Sequence, residues 1–120
     1  MGYLVEETLE TLKEHGVSVD DIEWVGSKDG LYAMPWGDFE KQFKDLIYDC
    51  GYGGQEIAKD LIVVGTDWWL ERHEYDGAEW WEFKKLPEKK NDAKPFDKVT
   101  GDMSWETLDY FNNGSEDDRA

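Results

Sequence analysis

Glu71, His73 and Glu82 come closest in this chain to a reactive set. They lie in the run Asp67-Trp68-Trp69-Leu70-Glu71-Arg72-His73-Glu74-Tyr75-Asp76-Gly77-Ala78-Glu79-Trp80-Trp81-Glu82-Phe83. Alternate residues of a strand face the same way, so one imidazole and two carboxylates on one face have the donor chemistry of a zinc or other divalent site. With one histidine, no second histidine and no pocket, the set is thin. A solvated polar face with His73 packed on Trp80 is the simpler reading. With 29 acids in 120 residues, paired carboxylates such as Glu6-Glu7, Asp20-Asp21 and Asp117-Asp118 carry no information about acid–base work. Ser18, Ser27, Ser104 and Ser115 sit in no nucleophile elbow, and neither His15 nor His73 has an evident triad. Gly51-Tyr52-Gly53-Gly54 superficially resembles a phosphate loop but follows a helix and lacks the flanking signature. The expectation is therefore a protein with no catalytic residues, no cofactor and no metal site.

The same run reads as a hairpin. Asp76-Gly77 between alternating strand formers is a two-residue turn signal. That turn sets Leu70 against Phe83, Arg72 against Trp81 and His73 against Trp80. The Leu70/Phe83 face buries itself, and the other carries Glu71, His73 and Glu82. Two adjacent Trp pairs cannot all point inward, so at least two indoles are left for a second face, either a mini-core under the tail or an anchor for a partner. Trp24, Trp36 and one Trp of each pair are expected in the core. The expected partner-binding residues are Glu71, Glu74, Asp76, Glu79, Glu82, Trp69 and Trp80.

The net charge is −16, yet aromatics make up 15% of the chain. Disordered acidic chains are poor in aromatics, so this one folds with its acids outside. Such a field repels phosphate backbones and anionic membranes; direct nucleic-acid or membrane binding is disfavoured, and a basic protein partner is favoured. The competing reading is acidity for solubility alone. Cys50 is the one cysteine. It permits no internal disulfide or cysteine-based zinc site, reads as core on the second helix, and fits a reducing cytoplasm. No signal peptide, membrane span or myristoylation pattern is expected.

The elements that must position these residues form one α+β domain over residues 1–86: an antiparallel sheet of four to five strands with two main helices on one face. Val5, Leu9 and Leu12 predict a helix from about residue 3 to 15, ended by Gly16. Ile22–Val25 and Leu31–Trp36 read as strands around Asp29-Gly30. Asp38 is expected to cap a second helix with the stripe Phe39, Phe43, Leu46, Ile47 and Cys50. Gln55–Asp60 reads as a helical turn and Leu61–Val64 as a strand. Residues 1–83 hold 20 acids and 6 bases, net −14; residues 84–98 hold 3 acids and 6 bases, net +3; residues 99–120 hold 6 acids and 1 base, net −5. Residues 87–98 thus read as a basic linker and 99–120 as an acidic, largely disordered tail, with a short helix at 104–111 capped by Ser104 and carrying Trp105, Leu108 and Phe111 on one face.

From Gly51-Tyr52-Gly53-Gly54-Gln55-Glu56-Ile57-Ala58-Lys59-Asp60-Leu61-Ile62-Val63-Val64-Gly65 through the Trp-rich hairpin to Phe83, the chain resembles small acidic proteins of phages and prophages of Gram-positive bacteria. The likeness covers roughly residues 4–87. It implies a bacterial cytoplasm and an accessory phage role, and it carries over no functional residues. Small acidic phage proteins include anti-restriction and anti-CRISPR inhibitors that imitate nucleic acid. The functional expectation is a non-enzymatic inhibitor of a basic nucleic-acid-handling host protein, a CRISPR effector nuclease first. The alternative is an accessory protein of phage replication or host takeover that binds another protein through a Trp-rich face.

Overall fold

Leu4, Val5, Thr8 and Leu12 recur at helical spacing and are buried along one stripe of the first helix, α1 (Leu4–Glu14). Gly16, at φ 70°, ends it. The Gly16 N–H bonds the Lys13 carbonyl and the Val17 N–H bonds the Leu12 carbonyl, each at 3.1 Å, closing the helix with the double bond pattern of a left-handed C-terminal glycine. The computed structural model to which these elements belong describes residues 2–48, 56–101 and 105–114. The chain divides into two units, Met1–Leu86 and Pro87–Ala120.

In the first unit the remaining elements are β1 (Gly2–Tyr3), β2 (Ile22–Ser27), β3 (Ala33–Met34), α2 (Trp36–Phe43), β4 (Ile47–Tyr48), β5 (Leu61–Gly65), β6 (Trp68–Tyr75) and β7 (Ala78–Lys85). Five strands form an antiparallel sheet in the order β3-β2-β5-β6-β7, and β1 pairs with β4 in a separate two-stranded sheet. The fold is the α+β class expected, with both helices contributing to a core against one sheet face. That core holds Leu4, Val5 and Leu12 of α1, Phe39 of α2, Val25, Val63, Leu70, Trp68 and Trp81 of the large sheet, and Tyr48 of β4. Fully buried aliphatic residues such as Val63 and Leu70 each contribute about 1.5–3 kcal/mol.

The hairpin register is the one the turn dictates. Asp76 (φ 52°) and Gly77 (φ 89°) both take positive φ, as a type I′ turn requires. Leu70 then faces Phe83, Arg72 faces Trp81 and His73 faces Trp80, with no shift from Trp68–Lys85 to Tyr75–Ala78. Gly65 serves packing rather than a turn. A Cβ there would lie 2.1 Å from the Trp68 indole, so the bare backbone is what admits that ring to the core.

Three expectations are corrected. The second helix is shorter. It starts at Trp36 behind Pro35, with no side-chain cap from Asp38, and ends at Phe43. Ile47 and Tyr48 leave it to pair with Tyr3 and Gly2, so Leu46 and Ile47 are exposed and Tyr48 is buried; Cys50 and the Gly51–Gly54 loop lie outside the described residues. The returning strand shrinks from Leu31–Trp36 to Ala33–Met34, because Ser27 and Asp29 hold the preceding loop: the Ser27 hydroxyl donates to Asp29 Oδ1 (2.6 Å), which also accepts from the Leu31 N–H (3.1 Å). Trp24 leaves the core. A register shift between Ile22 and Trp24 reverses the alternation, so Ile22 packs on the core, Val25 is buried in it, and Trp24 takes the opposite face.

In the second unit the Asn112 side chain accepts from the Asp97 and Lys98 N–H groups and donates to the carbonyls of Lys98 and Leu108. The helical turn includes Tyr110–Gly114, and its first bonds come from Thr107, whose hydroxyl accepts the Tyr110 N–H at 3.1 Å. Residues 105–107 are not helical and Trp105 is fully exposed, so Trp105, Leu108 and Phe111 do not share one helical face. Ser104 lies outside the described residues.

Candidate partner-binding face

Alternation along β6 and β7 sends Trp68, Leu70 and Arg72, and Glu79, Trp81 and Phe83, toward the helices. Trp69, Glu71 and His73, and Trp80, Glu82 and Lys84, go to the other side. β2 and β5 extend that outward face with Trp24, Ile62 and Val64, since Ile62 pairs with Glu71, and Val64 with both Trp69 and Trp24. No helix of Met1–Leu86 packs on it among the described residues. Lys28, Ile62, Val64, Trp69 and Glu71 line an open groove there of about 340 Å³.

The polar groups of this face are locked by a repeated spacing, Trp-x-Glu. The Trp69 indole N–H donates to Glu71 Oε1 at 2.8 Å, and the Trp80 indole N–H donates to Glu82 Oε2 at 2.7 Å. Residues two apart on a strand share a face, so each indole is anchored by the acid that follows it. His73 Nε2 lies 2.6 Å from the second Glu71 oxygen. The Trp69 hydrogen bond, opposed by partial burial and reinforced by the His73 hydrogen bond and the charges of Lys28 and His73, holds the Glu71 carboxyl below the usual glutamate range. Glu71 and Glu82 stand directly opposite each other on neighbouring strands, each carboxylate bonded to the indole two residues before it.

The inward face of the same hairpin carries a polar cluster that sequence patterning did not anticipate. Arg72 is buried, with NH2 2.8 Å from Glu79 Oε1 and NH1 3.3 Å from Glu7 Oε1. It also donates to the Tyr48 hydroxyl at 3.1 Å, and that hydroxyl donates to Glu7. The guanidinium carbon lies 4.7 Å from the Trp81 ring centre and 5.4 Å from that of Tyr48, within cation–π range. Burial disfavours its charge, but the hydrogen bonds to Tyr48 and Glu79 and the negative neighbours outweigh burial, so its proton is held more firmly than usual. Burial, and then the Glu7 contact, push the Tyr48 phenol well above its ordinary value. Nε of Arg72 has no hydrogen-bond partner among the described residues.

Of the seven residues expected to meet a partner, the structure gathers Trp69, Glu71, Trp80 and Glu82 on one face and puts Glu74 and Asp76 at the exposed hairpin tip. Glu79 is a correction. It is 4% exposed, paired with Arg72, and its carboxylate accepts the N–H groups of Glu56 (2.7 Å) and Ile57 (3.4 Å). It therefore ties residues 56–57 to the hairpin and offers no surface charge. The Trp-x-Glu repeat was available as a sequence signal. So was Arg72, the one Lys or Arg between Lys59 and Lys84, at an inward position in phase with Leu70.

Among the described residues no group of three or more His, Cys, Asp or Glu is placed to hold a metal ion, and no helix is long and apolar enough to cross a membrane. Compared with models of protein families, with curated proteins and with solved structures, the chain matches none.

Proposed function

We propose that this chain is a non-enzymatic binding protein of a bacterial phage or prophage, whose outward sheet face occupies and inhibits a basic, nucleic-acid-handling host protein, a CRISPR effector nuclease first. The observation that carries the reading is the Glu71–Glu82 pair. Both carboxylates stand on one open face, Glu71 favoured in its ionised form by the Trp69 hydrogen bond, and together they offer acceptor oxygens to a cationic side chain of a partner. The pair is flanked by Trp69 and Trp80, each fixed by the neighbouring carboxylate. Rigid indoles provide contact area at low entropic cost and a platform for guanidinium groups. The net charge of −16 steers such a face toward a basic groove and away from nucleic acid itself.

A second reading rests on the apolar side of the same face. The groove of Ile62, Val64 and Trp69 suits an accessory protein of phage replication or host takeover that holds its partner mainly through aromatic contact.

The test is capture of a partner from host lysate, followed by two variants. Reversing Glu71, Glu74 and Glu82 to Lys nearly abolishes binding if carboxylates stand in for phosphates, and wild-type binding then weakens steeply with salt. Trp80→Ala mainly raises the off-rate if aromatic contact dominates. Salt-insensitive binding that tolerates the triple reversal but not the Trp change eliminates mimicry in favour of the second reading.

A further inference from the structure

The two edges of the large sheet are built differently. β3 is two residues long and is followed at once by Pro35, a short, proline-stopped edge of the kind that resists pairing. β7 is eight residues long, contains no proline, and keeps an unbroken register with β6. Among the described residues no strand pairs with its outer side. In a hairpin with a two-residue turn, the residues flanking the turn exchange hydrogen bonds and the pattern alternates from there. Ala78, Trp80, Glu82 and Lys84 therefore turn their backbone groups toward β6, while Glu79, Trp81, Phe83 and Lys85 turn theirs to the open edge. Protective lysines occur only at the end, as Lys84 and Lys85.

The side chains beside this edge define what fits. On the outward face they are Trp80 and Glu82, joined by their hydrogen bond. On the inward face Phe83 is stacked on His15, ring centres 4.3 Å apart and planes within 5°, an aromatic shelf at the margin of the core. A strand added here alternates between these two surroundings: one side chain over an indole and a carboxylate, the next over the His15–Phe83 stack.

We propose that β7 is a strand-addition site for an extended polypeptide segment that alternates basic and apolar residues, its basic side chains over Trp80 and Glu82 and its apolar ones over Phe83 and His15. The inference deepens the binding reading above and rests on it. Main-chain hydrogen bonds to Trp81 and Phe83 supply affinity, and the alternating surroundings supply selection. The charge of the face selects the basic segment over an acidic one, including a second copy of this chain.

The probe is a short peptide alternating arginine and valine, added to the full-length protein while amide hydrogen exchange is followed residue by residue. The expected result is an alternating footprint. Exchange slows by about tenfold or more at Trp81 and Phe83, whose amides gain partners, while Trp80 and Glu82, already bonded to β6, change little. A peptide of the same sequence, N-methylated on every second amide so that one hydrogen-bonding edge is blocked, loses binding by about tenfold or more. Absence of binding, equal binding of the methylated peptide, or binding without the alternation overturns strand addition. So does sedimentation that finds a dimer with the alternating footprint already present, since a second copy then holds the edge. Each of these leaves the outward-face reading standing if a captured partner still depends on Glu71, Glu82 and salt; loss of that dependence overturns the face itself.

Discussion

Arg72 reaches diagonally across the hairpin to Glu79, 2.8 Å away, with each side chain 3% exposed. The pair makes the inward face of the Trp-rich hairpin a charged clamp inside a largely apolar core. It joins α1 through Glu7, β4 through Tyr48, and residues 56–57 through their backbone N–H groups. A buried ion pair of this kind adds little stability relative to an apolar replacement, but breaking it from one side leaves a charge in low dielectric.

Truncation of Arg72 to Ala should therefore destabilise the protein by about 3–5 kcal/mol. Glu79→Gln, which keeps an acceptor for the Glu56 and Ile57 amides, should cost less than Glu79→Ala. Urea melts of the three variants measure this. A loss for Arg72→Ala no larger than that of an exposed substitution, about 0.5 kcal/mol, would contradict the clamp.

Gly65→Ala should destabilise by about 1–3 kcal/mol, the usual cost of overpacking, because the added methyl meets the Trp68 ring at 2.1 Å. The indole must shift, so a red-shifted or broadened tryptophan emission should accompany the lower melting temperature. Neither Gly16→Ala nor Gly30→Ala places a Cβ within 4 Å of another group, so any cost there comes from φ alone and leaves the emission unchanged.

The depressed Glu71 carboxyl makes a pH prediction. Its folded pKa lies below the unfolded glutamate value, so its stabilisation is fully present above about pH 4.3 and is lost as pH falls through the folded value. Wild type should lose stability more steeply than Glu71→Gln below that point, and the two curves should run parallel near neutrality. Parallel curves all the way from about pH 3 to about pH 7, a span that covers the carboxylate range, would show that the Trp69 hydrogen bond does not favour the ionised form.

A chain ending at Leu86 should still melt cooperatively, because among the described residues the buried hydrophobic core lies wholly before that point. Calorimetry of the truncated chain is the check. Aggregation or a broad, non-cooperative transition would show that residues beyond Leu86 are needed by an apolar face of the first unit.

The hairpin was legible in the sequence because everything that defines it is local. Asp76-Gly77 dictates the turn, the turn dictates which residues oppose each other, and a period of two dictates the faces. The helix ending at Gly16 is local in the same sense. What tertiary structure alone decided depends on partners remote in the chain. Periodicity extended α2 through Cys50, yet the helix ends at Phe43 and Ile47 and Tyr48 pair with a strand at the other end of α1, and no window of local sequence contains that competitor. One register shift beside Trp24 was enough to move an indole from the core to the outward face, since a single inserted residue reverses every side chain after it. Glu79 looked like any other surface acid. Its burial follows from Arg72, and the burial of Arg72 follows from Glu7 and Tyr48, 65 and 24 residues away. A charge enters a core only where several chain segments converge to satisfy it, and that convergence is a property of the folded chain.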